Sequence, residues 1–181
     1  MIKEFTLTVF SENRTGILAR IVAVIVKRHI NIESISVSKS TIEGIHRHTI
    51  VVMVEEERVR KLVGKIDKQV DVLKAFYYNN DEIVYQEIAL YKVLPKIFFH
   101  GNKAEKLIRK HNARILRIEK EYVVIEKTGH QHETEALYEA LREYGVFEFV
   151  RSGRVAIVKQ MERLNKYLES LEVESKFVKE S

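Results

Sequence analysis

The order in which hydrophobic periods change along this chain restricts its fold more than any single residue does. Phe5, Leu7 and Val9 alternate with polar neighbours, the two-residue period of a half-buried strand. GILARIVAVIVKRH (16–29) then carries apolar residues around most of a helical circumference, which predicts a helix with a broad buried face. NIESISVSK (31–39) alternates again and offers Ile32, Ile35 and Val37 to a core, with Ile35 out of strict phase. After a loop containing Gly44, HTIVVMVE (48–55) is a continuous β-branched run suited to a central strand. Glu55, Glu56 and Glu57 open a second helix through Val59, Leu62, Val63 and Ile66, where acids complement the helix dipole. VDVLKAFYY (70–78) closes the block as a fourth strand. The order is β-α-β-β-α-β, the split βαβ or ferredoxin-like arrangement.

Past a polar break at NNDE (79–82) the same order returns. VYQEIALYKV (84–93) predicts a strand, NKAEKLIRKHN (102–112) a short helix, and ARILRIE (113–119) with YVVIEK (122–127) a hairpin turning at Lys120–Glu121. ETEALYEALREYG (133–145) predicts a helix ended by Gly145, and VFEFVRSG (146–153) a strand. The expected fold is therefore α+β, with two tandem βαββαβ domains at 1–79 and 80–181. Beyond Val158 a helical tail is expected, with Met161, Leu164, Leu168 and Leu171 on one stripe that needs a partner surface.

With 181 residues and 45% hydrophobic content, the chain can build one ordinary core or two small ones. No apolar stretch approaches the roughly 20 residues of a membrane span, and the first residues alternate like a strand rather than a signal peptide. The absence of cysteine excludes disulfides, thiolate zinc sites and thiol nucleophiles. A soluble cytoplasmic protein is expected. The formal charge of +5 raises nucleic acid as a partner, but 31 basic and 26 acidic residues are interspersed without a run of five like charges. EEERVRKLVGK (55–65) is the usual pattern, a solvated helix face rather than a phosphate track.

No catalytic constellation emerges. The glycines are scattered, so no phosphate loop forms. His46/His48 and His130/His132 have metal-compatible spacing if extended, but no acidic or thiol partner accompanies them, and a surface location is expected. Phe76, Tyr77 and Tyr78 resemble the stacking aromatics of an RNA-binding sheet, yet lack the accompanying glycine-aromatic signature; core and interface packing is expected. No catalytic residue and no metal ligand is assigned.

One loop resists a bland account. SENRTG (11–16) separates two core-forming segments at the point where a helix begins, so free backbone N–H groups point into it. Such an end accepts a carboxylate, Gly16 lets a ligand approach, and Asn13 offers both donor and acceptor. Ile17 and Leu18 could line an apolar pocket, which together suits a free aliphatic amino acid. A turn capped by Thr15 or Asn13 explains the same residues, and on the residues alone it is the favoured reading.

ENRTGILARIVAVIVKRHINIESISV (12–37) closely resembles the opening of the small regulatory subunit of acetolactate (acetohydroxyacid) synthase. That family begins with an ACT domain, a ferredoxin-like amino-acid sensor. Its N-x-x-G-x-L-x-R pattern is met by Asn13, Gly16, Leu18 and Arg20, and its N-I-E-S by Asn31, Ile32, Glu33 and Ser34. VDVLK (70–74), QEIALYKV (86–93) and RSG at Arg151–Gly153 extend the resemblance over roughly residues 2–158 in the family's order. The chain departs from it at EGIHRHTI (43–50), where only Arg47 and Thr49 are kept, at Leu94–Asn112, and in its long tail.

The resemblance implies a non-catalytic regulatory subunit that activates a catalytic large subunit and confers feedback inhibition by valine or a related amino acid. It implies that Asn13, Gly16 and the Ile17 and Leu18 backbone hold the effector's polar end, with Asn31 and Ile32 supplied by a neighbouring subunit across an ACT-domain homodimer. No cofactor is expected in this chain; thiamine diphosphate, Mg²⁺ and FAD belong to the catalytic partner. The alternative is a free-standing ACT sensor controlling transcription or another enzyme.

Overall fold

The computed structural model describes residues 1–98 and 103–160, and the expected stripe at Met161, Leu164, Leu168 and Leu171 lies outside them. The chain divides into two units, Met1–Val84 with the chain from Arg154, and Tyr85–Gly153. The expected boundary at 79/80 is displaced for a local reason. Asn79 caps a 3-10 turn at Asn80–Glu82, and Asn80 Nδ2 donates to Glu4 Oε1 at 2.9 Å, so the polar break is tied to the first unit.

The first unit runs β1 (Ile2–Glu12), α1 (Ile17–Val26), β2 (Ile32–Lys39), β3 (Ile45–Glu55), α2 (Glu56–Ile66) and β4 (Val72–Tyr78). Its sheet has the antiparallel order β2-β3-β1-β4, the ferredoxin-like arrangement that the period changes predict. Phe5, Leu7 and Val9 face Ile17, Ile21 and Ile25 of α1 and Val59, Leu62 and Ile66 of α2 in one buried cluster. Burying each such side chain contributes about 1.5–3 kcal/mol, which fixes the register of β1. Tyr77 sits edge-on to Phe5 at 5.8 Å, as core packing requires.

Two local differences from the sequence reading have identifiable causes. Helix α1 stops at Val26 rather than continuing to 29, because His29 takes a left-handed φ of 53° that turns the chain toward β2. In β2 the register against β3 shifts between Ile32 and Ser34, a bulge at the point where the apolar phase breaks. Only Ile32 packs against the core there; Ile35 and Val37 stay 37% and 40% exposed on the outer strand.

The second unit contains most of β5 (Ile83–Val93), then α3 (Lys103–Lys110), β6 (Arg114–Ile118), β7 (Val123–Gly129), α4 (Gln131–Arg142) and β8 (Val146–Arg151). Strand order β6-β7-β5-β8 repeats that of the first sheet. Tyr91, Val93, Ile125, Leu137 and Leu141 form its core, and Tyr91 satisfies its buried hydroxyl by donating to Thr134 O at 2.7 Å. The β6–β7 turn closes where expected, with Glu119 N donating to Tyr122 O at 2.8 Å. Gly145 follows α4 at φ 85°, the left-handed stop read from the sequence.

Strand β9 (Val155–Val158) belongs with the first unit. Arg154, 2% exposed, donates to Thr6 Oγ1 at 2.8 Å, Asn80 Oδ1 at 3.1 Å and Glu4 Oε1 at 2.7 Å. Arg47 Nη2 adds a bond to Ala156 O at 2.5 Å. Side-chain bonds thus tie Arg154 and the Ala156 carbonyl to residues of the first unit, while β9 itself pairs with β5.

Candidate functional site

The SENRTG loop is held from three directions. Glu12 N donates to Asp71 O at 2.9 Å and Asn13 N to Gly44 O at 2.8 Å. Arg20 Nη2 donates to Asp71 Oδ2 at 2.5 Å, which draws the first turn of α1 onto the residue before β4. The third tether lies underneath. Ser11, fully buried, donates its hydroxyl to Glu12 O at 3.1 Å, so the 2.8 Å contact with His48 Nε2 has the imidazole N–H donating to Ser11 Oγ. Nδ1 of His48 is then the bare nitrogen, buried without a hydrogen-bond partner among the described residues.

His48 is therefore a core histidine, 1% exposed, and the expected surface location does not hold for it. Burial, with the nearby His46 charge adding to it, pushes its pKa down to about 4, so it stays neutral near pH 7. His130 and His132 stack at 5.8 Å beside Tyr85, and His130 caps α4 with Glu133 returning to its N–H. Among the described residues no three metal-binding side chains converge.

Gly16 is the N-cap of α1 at φ 86°, and no side chain caps that helix. The capping by Thr15 or Asn13 that would make the loop a plain turn is absent. A Cβ placed on Gly16 would meet nothing within 4 Å, so the helix end stays approachable. A carboxylate there would meet free N–H groups and the positive end of the dipole.

The other expected site residues divide. Ile17 is 4% exposed and its side chain belongs to the core, which corrects its expected place in an apolar pocket, and its backbone N–H already donates to Arg14 O at 3.4 Å. Leu18, 38% exposed, stands clear of that core. Asn13 lines a cavity of about 350 Å³ together with residues of the β2–β3 hairpin between Lys39 and His46. Asn31 is exposed and donates from Nδ2 to Glu33 Oε1 at 3.1 Å, while Ile32 is half-buried.

Asn31 and Ile32 do not meet the loop within one chain. Ile32 pairs with Val52, which pairs with Phe5, whereas the loop leaves β1 after Glu12. Seven strand residues separate those points, roughly 23 Å at 3.3 Å per residue. Sequence reading also missed the hairpin wall and the Ser11–His48 tether. The one available signal was the departure at 43–50, which places His46 and His48 there.

Comparison with known proteins matches this arrangement over both units. Residues 5–71 match the ACT domain family model and residues 86–160 the model of the small subunit of acetolactate synthase. The acetolactate synthase small subunit of Bacillus subtilis is 38% identical over 155 residues, covering 85% of this chain and 88% of its own length. That of Mycolicibacterium smegmatis is 32% identical over 152 residues, with 84% and 89% covered. The crystal structure of the Thermotoga maritima small subunit superposes with a TM-score of 0.79 at 25% identity, over 88% of this chain and 99% of that one. The chain belongs to the acetolactate synthase small-subunit family.

Proposed function

We propose that this chain is a regulatory subunit of acetolactate synthase, which raises the activity of a catalytic large subunit and makes it sensitive to valine or a related branched-chain amino acid. The observation that carries the effector half is the uncapped α1 N-terminus at Gly16, beside Asn13 and above a fully tethered loop. A tethered loop leading into a helix end that no side chain caps is suited to a small carboxylate.

The effector is shared between two copies in this reading. Asn31 and Ile32 lie at the far end of β2, and β2 is an outer strand with Ile35 and Val37 exposed beside it. Antiparallel pairing of two β2 edges would cover that strand and bring the Asn31 end of one copy to the loop end of the other. Ligand binding then tightens the dimer by linkage. Thiamine diphosphate, Mg²⁺ and FAD are the catalytic partner's.

Co-purification with a candidate large subunit, followed by a pyruvate-condensation assay with and without valine, tests this directly. Higher turnover that valine then lowers is expected. Turnover that ignores this chain at every subunit ratio refutes the regulatory role and leaves a free-standing amino-acid sensor. Sedimentation with and without valine tests the dimer.

A further inference from the structure

We infer that two copies of the chain pair antiparallel through β2 with Ser36 on the two-fold axis, and that Glu33 and Lys39 of opposite copies set this register. The register rests on the shared-effector reading above and decides which residues meet across the axis.

β2 is an edge strand, and its ladder with β3 runs unbroken from Ser34 to Lys39. Along that stretch its two faces differ in chemistry. Ile35 and Val37 register with Ile50 and His48, which pair in turn with the core residues Leu7 and Val9, so they take the helix face. Ser34, Ser36 and Ser38 register with Val51, Thr49 and Arg47 and take the other face. Residues directly opposite in an antiparallel pair point to the same face, so a symmetric pair of β2 strands has a residue on its axis, not a peptide bond.

Charge and shape choose among these axes. With Ile35 on the axis, Glu33 meets Val37 and Lys39 meets Asn31. With Val37 there, Lys39 meets Ile35. With Ser36 there, Glu33 meets Lys39, Ile35 meets Val37, and serine meets serine throughout. Opposite charges and β-branched pairs stabilise cross-strand neighbours, whereas a charge facing an aliphatic side chain gains nothing. Among the described residues, no hydrogen bond or ion pair engages the Lys39 ammonium. Glu33 is exposed and accepts from Asn31 Nδ2 through Oε1 at 3.1 Å, which leaves Oε2 for a partner.

Apolar surface continues the edge onto α1. That helix packs beside α2, which lies on β1, β3 and β4. The flank of α1 turned away from Arg20 and Asp71 carries Leu18, Val22 and Val26 at successive turns. Leu18 and Val26 are exposed, as are Ile35 and Val37. An axis at Ser36 brings two such surfaces together and removes them from water. It also sets Asn31 of the second copy across from Thr41, in the turn whose Gly44 carbonyl holds Asn13 N at 2.8 Å.

The chain has no cysteine, so one introduced thiol reports the axis directly. Ser36→Cys meets its own copy at about 4.5–5.5 Å between Cα atoms, within disulfide reach. Mild oxidation of the full chain is expected to give covalent dimers of Ser36→Cys on a non-reducing gel and none of Ser34→Cys. In sedimentation, Glu33→Lys and Lys39→Glu each set like charges across the axis and are expected to weaken dimerisation about tenfold or more, and the double reversal to restore it. Covalent dimers of Ile35→Cys or Val37→Cys but not of Ser36→Cys overturn the register and leave the shared-effector reading standing. Dimerisation that neither reversal weakens, or that the double reversal fails to restore, removes Glu33 and Lys39 from the interface and overturns the inference. A chain that stays monomeric at micromolar concentration with and without valine overturns the shared-effector reading, and the inference with it.

Discussion

Arg20 on α1 and Asp71 before β4 lie 51 residues apart in sequence and 2.5 Å apart in space. The contact joins two stretches that the sequence presents separately, the end of N-x-x-G-x-L-x-R and the start of VDVLK. Asp71 adopts a left-handed φ of 68°, and its carbonyl also receives Glu12 N, so one residue anchors both the helix and the loop before it. Arg20→Met leaves a carboxylate that is only 11% exposed with the longer Arg14 contact at 3.7 Å as its remaining ion pair, whereas Asp71→Asn tolerates the same backbone and can still accept a bond. Arg20→Met is therefore expected to cost about 1–3 kcal/mol and Asp71→Asn less, read from denaturant midpoints. The opposite ranking would mean the pair does not anchor the loop.

Acid should destabilise the first unit through His48. Its folded pKa is about 4 against an ordinary 6.5, so between those values the unfolded chain binds more protons. Stability is full above about pH 6.5 and falls as pH drops toward 4, by roughly 3 kcal/mol in all. His46 is the charged neighbour that adds to the burial effect. His48→Met should lack this acid limb while keeping the loss that any carboxylate contributes. Parallel stability-pH curves for the two proteins would remove His48 from the account.

Arg154 should matter more than a single surface arginine does. It is 2% exposed and holds Glu4, whose carboxyl burial pushes up but whose bonds from Arg154 and Asn80 hold below the ordinary value. Arg154→Met removes the cation and leaves the carboxylate half-buried, at an expected cost of about 3 kcal/mol. Adding Glu4→Gln should recover part of that loss, because an unpaired charge is then no longer buried. Two strictly additive losses in thermal unfolding would show that the pair is not coupled.

The sequence carried the periodic elements and little of what joins them. Alternation placed Phe5, Leu7 and Val9 correctly because one face of β1 is buried, and Gly145 ended α4 because few residues take its conformation. Ile17 was misassigned to a pocket because helical spacing cannot say which part of a broad apolar face meets the sheet. His48 was misread because a histidine in a β-branched run looks polar until Ser11, 37 residues away, supplies its partner. Arg154 was invisible for the same reason, its partners lying near the other end of the chain. Long-range polar pairs leave no period.

Gly16→Asp should abolish the effector response and spare activation of the catalytic subunit. The new carboxylate would stand at the α1 N-terminus, where its charge opposes the effector's and its oxygens can take the free N–H groups. The left-handed φ of 86° strains any side chain, though aspartate tolerates that region better than most, and the Cβ meets no neighbour. A stability loss of about 1–2 kcal/mol is expected from the backbone alone. Because that loss is modest, a loop that only shapes a turn predicts a different result: lower melting temperature, weaker activation and unchanged valine affinity per folded molecule. Calorimetric titration of valine beside melting curves for both proteins separates the two. Asn31→Ala, which touches neither the helix end nor the core, should weaken valine less, and only in the assembled dimer. Equal valine affinity in the unaltered and Gly16→Asp proteins would end the case for a ligand at this loop.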